Sequence, residues 1–238
     1  MAKVAEQSER YDEMVAYMKE ITKHRLALTL EERNLLSVAY KNVIGARRAS
    51  WRMVNTIQEK EQQQGNQDRV DKLQAYRTKI EDELTATCAD ILRVLDEDVI
   101  PFVDTEAVDE CNVFYYKMKA DYFRYMAEYS SDEKRNKAAT DAEESYQKAT
   151  EFAENLPATH PIRLGLALNT SVFYYEIMNQ PKKACTIAQN AFSSAVEKLD
   201  SVTDSTYRDS TLIMQLLRDN LALWTANEDG TPAAGEDE

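Results

Sequence analysis

The aromatic-rich segment VFYYKMKADYFRYM, residues 113–126, is predicted to be the helix around which the rest of the chain is organised. Lys117, Asp121 and Arg124 stand at steps of four and three, so they share one face of a helix. The aromatic residues lie mostly off that stripe and are expected to face the core, while Tyr125 adds a hydroxyl beside Arg124. In a chain of formal charge −13, a helix that keeps a basic face indicates an anion-binding site. An ordinary amphipathic helix with a solvated charged face is the alternative.

Composition predicts an all-α fold. The 238 residues are 43% hydrophobic, enough for a substantial core, and contain only five glycines and five prolines. Long tracts rich in Ala, Leu, Glu, Lys and Gln favour helix, and strand signals are nearly absent.

Charge and cysteine usage limit the partners and the compartment. Forty-two acidic against twenty-nine basic residues argue against binding to nucleic acid or to anionic membranes. Three widely spaced cysteines argue against a disulfide framework and a CxxC metal site, and they favour a reducing, intracellular compartment. With no apolar run near ~20 residues and no N-terminal h-region, neither a membrane span nor secretion is expected.

Capping residues, breakers and apolar periodicity place most helices. TLEE, residues 29–32, is a capping box, and EKEQQQGNQD, residues 59–68, is predicted to be a mobile loop or break around Gly65. The acidic end, 227–238, is predicted to be a disordered tail after a helical domain over 1–226. The predicted helices are 3–24 with one break that the pattern does not place, 29–58, 68–98, one holding the opening stretch with Asp104 as N-cap, 132–155, 161–179, 181–200 and 205–226.

A second basic stripe lies on the helix predicted over 29–58. Lys41, Arg48 and Arg52 follow at steps of seven and four, so they occupy one narrow face. Because aligned like charges repel one another, this alignment favours a role in binding an anion over a role in stability. Because cations that bind one anion crowd one another when it is absent, losing one of Lys41, Arg48 or Arg124 is expected to leave thermal stability unchanged or slightly raised.

Two later helices carry polar residues among apolar ones. On the helix that begins at Pro161, Asn169 and Glu176 form a polar stripe. It runs beside Leu168 and Val172. On the last helix, Asn220 shares a stripe with apolar residues and lies one turn from Trp224; a structural buried Asn is the alternative. The apolar residues of that stripe are Ile213, Leu216 and Leu223.

The sequence contains no recognisable catalytic or metal-binding motif. His24 and His160 are the only histidines, and neither stands in a zinc-ligand spacing. His160, before Pro161, is expected to be a helix-entry residue. No phosphate-binding glycine loop or nucleophile motif occurs, so we expect neither an enzyme nor a cofactor.

Two other protein classes were weighed. A tetratricopeptide-type scaffold that binds unmodified peptides would suit PKKACTIAQNAF, residues 181–192, but no 34-residue period recurs. A helical-bundle metalloenzyme ranks lower, because the chain has no ExxH pair.

Four stretches together closely resemble the 14-3-3 family, and the resemblance runs from about residue 4 to residue 226. They are RNLLSVAYKNVIGARRASW (33–51), VFYYKMKADYFRY (113–125), THPIRLGLALN (159–169) and YRDSTLIMQLLRDNLALW (207–224). The resemblance implies about nine antiparallel helices and a cup-shaped homo- or heterodimer. Each groove of that dimer would bind a phosphoserine or phosphothreonine segment of a client protein. It also implies a cytoplasmic location, with the nucleus as an alternative.

The resemblance implies a role for each matching residue. The phosphate contacts are Lys41, Arg48, Arg124 and Tyr125. The peptide groove comprises Lys117, Leu168, Asn169, Val172, Glu176, Ile213, Leu216, Asn220, Leu223 and Trp224. At the dimer contact, Val4, Ser8, Arg10 and Glu13 face Tyr76, Lys79 and Glu83 of the partner, and Ser50 lies at the same contact. TKHRLAL, residues 22–28, departs most from the family pattern, and no departure touches the four phosphate contacts.

Overall fold

A computed structural model describes residues 1–103, 108–199 and 204–228, and most of these residues are helical. Over these ranges there are nine α-helices and no strand, so the predicted all-α fold is confirmed. The helices are α1 (Ala2–Gln7), α2 (Tyr11–Thr22), α3 (Leu30–Gln63), α4 (Gln67–Val94), α5 (Val108–Tyr129), α6 (Asp132–Ala153), α7 (Pro161–Glu176), α8 (Pro181–Val196) and α9 (Asp204–Glu228). In the described part, none of them is long and apolar enough to cross a membrane.

The first of two compact units, Met1–Glu106, is built on the pair α3 and α4. Side-chain hydrogen bonds join these two helices in the pairs Tyr40–Asp90, Trp51–Glu81 and Gln58–Gln74. Since one residue number rises as the other falls, the two helices are antiparallel. Beyond α4 the chain makes a π-helical turn over Leu95–Val99 and a 3₁₀ turn over Ile100–Phe102.

The second unit, Ala107–Glu238, has α5 and α6 as its most extensive helix pair. One face of α6 is lined by buried alanines, and these small side chains allow α6 to lie close against α5. The alanines are Ala138, Ala142, Ala149 and Ala153. Helix α7 contacts α5, α6, α8 and α9, so it lies in the middle of this unit.

The break that the sequence pattern did not place lies at Ser8–Arg10, between α1 and α2. Glu9 adopts a positive φ of 55°, which a non-glycine residue rarely does. The backbone N–H groups of Ser8 and Arg10 bond back to α1 carbonyls, so the turn is closed by its own hydrogen bonds.

Of the two alternatives predicted for residues 59–68, the helix break around Gly65 is confirmed and a loop over the whole tract is wrong. Helix α3 continues to Gln63 and α4 begins at Gln67, so the turn spans only residues 64–66 around Gly65, whose φ is +75°. Glu, Lys and Gln are good helix formers even where no apolar residue anchors them. Glu61 also accepts hydrogen bonds from Asn66 at 2.6 Å and Arg69 at 2.7 Å, which tie the two helix ends together.

Two predicted helix starts are confirmed. In the capping box, Thr29 Oγ1 accepts from the Glu32 backbone N–H at 3.2 Å, and Glu32 Oε2 accepts from the Thr29 N–H at 2.9 Å. His160 Nδ1 accepts from the Ile162 backbone N–H at 3.2 Å, which makes His160 the N-cap of α7.

Two other predictions fall wholly or mostly outside the described residues. Asp104, the expected N-cap of α5, is not described. Helix α9 extends through Glu228, two residues beyond the predicted end of the helical domain at residue 226, and residues 229–238 are not described.

Candidate functional site

Helix α5 brings Lys117, Asp121 and Arg124 onto one face, as the sequence predicted. Lys117 Nζ lies 2.9 Å from Asp121 Oδ2, and Arg124 Nη2 lies 3.4 Å from Asp121 Oδ1. The face is not a solvated surface, because Asp121 and Arg124 are each only 7% exposed. The three charges therefore form a network in which Asp121 and Arg124 are buried and Lys117 is half-buried.

Helices α6 and α7 complete this network. Tyr146 of α6 donates its hydroxyl to Asp121 Oδ1 at 2.6 Å and accepts from Arg124 Nε at 3.2 Å. Asn169 of α7 places Nδ2 at 2.9 Å from both carboxylate oxygens of Asp121. Asp121 thus accepts hydrogen bonds from side chains of α5, α6 and α7. We call these five residues the Asp121 cluster: Lys117, Asp121, Arg124, Tyr146 and Asn169.

The cluster holds Asp121 as a carboxylate. Burial alone raises the pKa of the Asp121 carboxyl, but the charges of Lys117 and Arg124 and the Tyr146 hydrogen bond outweigh it, so the pKa lies below its usual value. Burial and the Asp121 charge raise the pKa of the Tyr146 phenol well above its usual value. Tyr146 therefore stays protonated and donates to Asp121 at neutral pH.

Arg124 is fixed on several sides. Its guanidinium carbon lies 4.9 Å from the centre of the Tyr125 ring, and Nη1 lies 3.8 Å from Glu128 Oε1. This arrangement contradicts, for Arg124, the expectation that losing a cation leaves thermal stability unchanged. Its loss would remove one of the two cations that compensate a buried carboxylate, and an uncompensated buried charge is costly.

An apolar surface lies on α7 and α9, which contact each other. Leu168 and Val172 of α7 are half-buried, while Leu216 and Leu223 of α9 are 45% and 47% exposed. Ile213 and Asn220 are half-buried on the same α9 stripe, and Glu176 is exposed at the end of α7.

Trp224 of α9 packs against α7 beside this surface. Its ring stacks on Tyr175 at 4.6 Å between ring centres and 13° between planes, and it is buried. Since Asn169 and Val172 lie one turn apart on α7, the Asp121 cluster and the apolar surface meet along one helix. The second unit therefore presents charged and apolar groups side by side.

The basic stripe of α3 lies in the first unit. Lys41 is exposed, Arg48 is partly buried and Arg52 is exposed. Gly45 occupies the same stripe between Lys41 and Arg48, and a Cβ added there would meet no atom of the described residues within 4 Å. This face of α3 is consequently open beside the two cations.

All eight residues predicted at the dimer contact are exposed and belong to the first unit. Val4 and Tyr76 are each 55% exposed. Arg10 bonds to Glu13 of its own chain. Arg47 lies 3.4 Å from both Asp12 of α2 and Glu83 of α4, so it links two of the helices that carry the predicted contact.

Two members of the Asp121 cluster were absent from the predicted site. Asp121 was noticed on the stripe with Lys117 and Arg124 but was assigned no role. Tyr146 carried no sequence signal, because nothing local to α6 shows which helix its hydroxyl will meet. Over the described residues, no group of three or more His, Cys, Asp or Glu side chains could hold a metal ion.

Comparison with known proteins gives a consistent result over nearly the whole chain. A family model described as 14-3-3 protein matches residues 1–225. The chain is 55% identical to the 14-3-3-like protein GF14 iota of Arabidopsis thaliana, in an alignment that covers 100% of this chain and 87% of the relative. It is 55% identical to a 14-3-3-like protein of Chlamydomonas reinhardtii, over 100% of this chain and 91% of the relative. It is 56% identical to 14-3-3 protein 3 of Entamoeba histolytica, over 95% and 94% respectively.

Proposed function

Because the chain belongs to the 14-3-3 family, whose members are adaptors without enzymatic activity, we propose that it binds client proteins at phosphorylated serine or threonine. The observation that carries the proposal is Arg124, a guanidinium fixed by a buried carboxylate and a phenol in a chain of net charge −13. Such a cation is oriented before any ligand arrives.

The proposal assigns the client phosphate to Lys41, Arg48, Arg124 and Tyr125. A phosphoryl group near two negative charges has three acceptor oxygens, so two guanidinium groups, an ammonium and a phenol match its chemistry. The exposure of Lys41 and the open face of α3 around Gly45 support the assignment for the first unit.

Asn169 and Asn220 are proposed to hold the client backbone. The Nδ2 group of Asn169 donates to Asp121, and a carboxylate can only accept, so the amide has one orientation. Its Oδ1 then remains to accept from a peptide N–H. Glu176 and Lys117 would border the peptide on the polar side of the groove.

The apolar residues of α7 and α9 would contact client side chains. Leu216 and Leu223 expose close to half of their surface, and contact with a client would remove that apolar surface from water. Leu168, Val172, Ile213 and Trp224 would complete this wall of the groove.

The protein is proposed to act as a homo- or heterodimer in the cytoplasm, with the nucleus as an alternative. Two grooves joined in one particle can engage two phosphorylated sites of the same client, and the second contact gains from the high effective concentration. Masking a client signal or fixing a client's conformation would follow from the same binding.

One peptide, prepared with and without its phosphate, tests the proposal. Fluorescence anisotropy should show binding of the phosphorylated form that is stronger by at least about a hundredfold, because several charge-assisted hydrogen bonds are lost together in the other form. Equal affinity for the two peptides would contradict phosphate recognition and support a scaffold for unmodified peptides instead.

A further inference from the structure

A second cleft lies between α6, α7 and α8, and none of the proposed phosphate-binding or groove residues lines it. Its volume is about 600 Å³, within the range of small-molecule sites. The apolar part of its lining includes Leu164, Leu166 and Ile187. All of its lining residues belong to the second unit, so the cleft is a feature of that unit alone.

Thr170 of α7 lines the cleft and carries a buried hydroxyl that is unsatisfied within the described part of the chain. The residue is 8% exposed, and among the described residues its Oγ1 has no hydrogen-bond partner. A helical threonine usually bonds a carbonyl of the preceding turn, as Thr150 does across the same cleft with the Tyr146 carbonyl at 2.8 Å. Because a buried hydroxyl without a partner is destabilising, a bound group that pairs with Thr170 would relieve that cost.

The charges around the cleft do not favour an ionic ligand. The lining contains two acidic residues, Glu151 and Glu154, and two basic residues, so its formal charge is zero. Arg163 donates to the backbone carbonyl of Leu156 at 2.6 Å.

The second cation, Lys183, is also engaged within the protein. Its Nζ lies 3.8 Å from the centre of the Tyr174 ring and 3.6 Å from Glu143 Oε1. Both cations therefore already have partners, and the hydroxyl of Thr170 has none among the described residues.

We propose that this cleft binds an uncharged amphiphilic small molecule. Its apolar body would pack against the half-buried Ala167, Ile187 and Ala191, and its one hydroxyl, amide or amine would pair with Thr170. This site is separate from the proposed phosphopeptide groove, and the inference does not rest on the proposed function.

The neutral dye N-phenyl-1-naphthylamine, an aromatic amine with one N–H group, is a suitable probe. Titrated into the full chain, its fluorescence should rise on binding with a dissociation constant of roughly 1 to 50 μM. A saturating phosphoserine peptide should leave this constant within about twofold, since the two sites share no contact residue. No binding at about 100 μM dye would overturn the proposal, as would displacement of the dye by the peptide.

Two substitutions in the lining of the cleft test whether the dye binds there. Thr170→Val removes the hydroxyl at nearly constant shape, so it should weaken dye binding by about three- to tenfold without lowering the melting temperature. Ser194→Trp, on the exposed rim of α8, should obstruct the cleft and weaken binding by more than about tenfold.

The neighbouring Ser193→Trp is the matched control, because Ser193 is equally exposed on α8 but does not line the cleft. It should leave dye affinity unchanged. Wild-type affinity in both Thr170→Val and Ser194→Trp would overturn the proposal, as would an equal loss in the two tryptophan variants.

Discussion

Asn169 Nδ2 lies 2.9 Å from each carboxylate oxygen of Asp121, so one amide of α7 is aligned by one carboxylate of α5. Asp121 also orients Lys117 and Arg124, and therefore three residues of the proposed groove depend on a residue that is itself 7% exposed. In the proposed function Asp121 is thus a positioning residue, since it would act on a client through its neighbours.

Asp121→Asn should lower the free energy of unfolding by roughly 3 to 5 kcal/mol, because it removes the nearer of the two carboxylates that pair with the buried Arg124 and leaves only Glu128, at 3.8 Å. Glu144→Gln, an exposed change on α6, is the control and should stay within about 0.5 kcal/mol. Urea unfolding measures both, and an Asp121→Asn protein as stable as the wild type would show that the carboxylate is dispensable.

The difference in the free energy of unfolding between the wild type and Asp121→Asn should decrease at acid pH. The folded-state pKa of Asp121 is lowered, so its stabilisation is complete above the usual aspartate pKa of about 3.9 and is lost as the pH falls further. The stability difference between the two proteins should consequently be constant from pH 7 to about pH 5 and shrink below about pH 4. Urea unfolding along this pH series measures it.

Arg124→Ala and Lys41→Ala should each weaken binding of a phosphoserine peptide by about ten- to a hundredfold, since each removes a charge-assisted hydrogen bond. Lys41→Glu should weaken it further by repulsion. Only Arg124→Ala should also lower the melting temperature, because Arg124 is buried and Lys41 is exposed. Anisotropy and melting curves on the same samples separate the two roles, and an undiminished affinity in Lys41→Ala would remove Lys41 from the phosphate site.

Arg10→Glu should weaken the proposed dimer without abolishing it. Arg10 is exposed and its expected partner is Glu83 of the other protomer, and an exposed ion pair contributes only about 0 to 1 kcal/mol. Val4 and Tyr76, each 55% exposed, would supply most of the association. Sedimentation measures the dimer constant, and a monomeric wild type at micromolar concentration would contradict the dimer.

Ser50→Glu should shift the protein towards monomer, with Ser50→Ala as its control. Ser50 follows two arginines in RRAS, a context that basic-directed kinases favour, and it is exposed. Its hydroxyl donates to the Ala46 carbonyl at 3.0 Å and is open to modification. A phosphate at the proposed contact would add nearly two negative charges to an acidic surface. An unchanged dimer constant in Ser50→Glu would remove this switch.

Two glycines should respond to alanine in opposite directions. Gly65 has a φ of +75°, so Gly65→Ala should cost about 1 kcal/mol of stability. Gly45 lies in the interior of α3 with open space at its missing Cβ, so Gly45→Ala should add about 1 kcal/mol. Thermal unfolding distinguishes them, and a loss in both variants would mean that the α3 position is not open.

Periodicity predicted which residues share a face, and it could not predict what covers that face. Lys117, Asp121 and Arg124 were correctly placed on one stripe of α5, but a charged stripe usually faces water. Burial of this stripe depends on Tyr146 and Asn169, which come from two other helices. The sequence around α5 does not show which other helices will pack against this stripe.

Helix ends were predicted well where a side chain caps the helix, and poorly where contacts between helices determine the position of the end. Thr29 and His160 are caps, and both were placed correctly. Because the tract 59–68 has no apolar residues, its pattern predicts a loop or a break around Gly65. The break is confined to residues 64–66, since Glu61 binds Asn66 and Arg69 across the turn. The segment Ser8–Arg10 contains neither glycine nor proline, so the sequence pattern could not show where the helix over 3–24 breaks.

The immobility of Arg124 bears on the entropy of client binding. Its rotamer is already set by Asp121, Tyr146 and Tyr125, so the loss of side-chain freedom occurred when the protein folded. Lys41 is exposed and would lose up to about 2 kcal/mol of rotational freedom only when a phosphate arrives. Arg124 would therefore bind the phosphate with little loss of side-chain entropy. Of these two cations, Lys41 would account for most of the side-chain entropy that is lost on client binding.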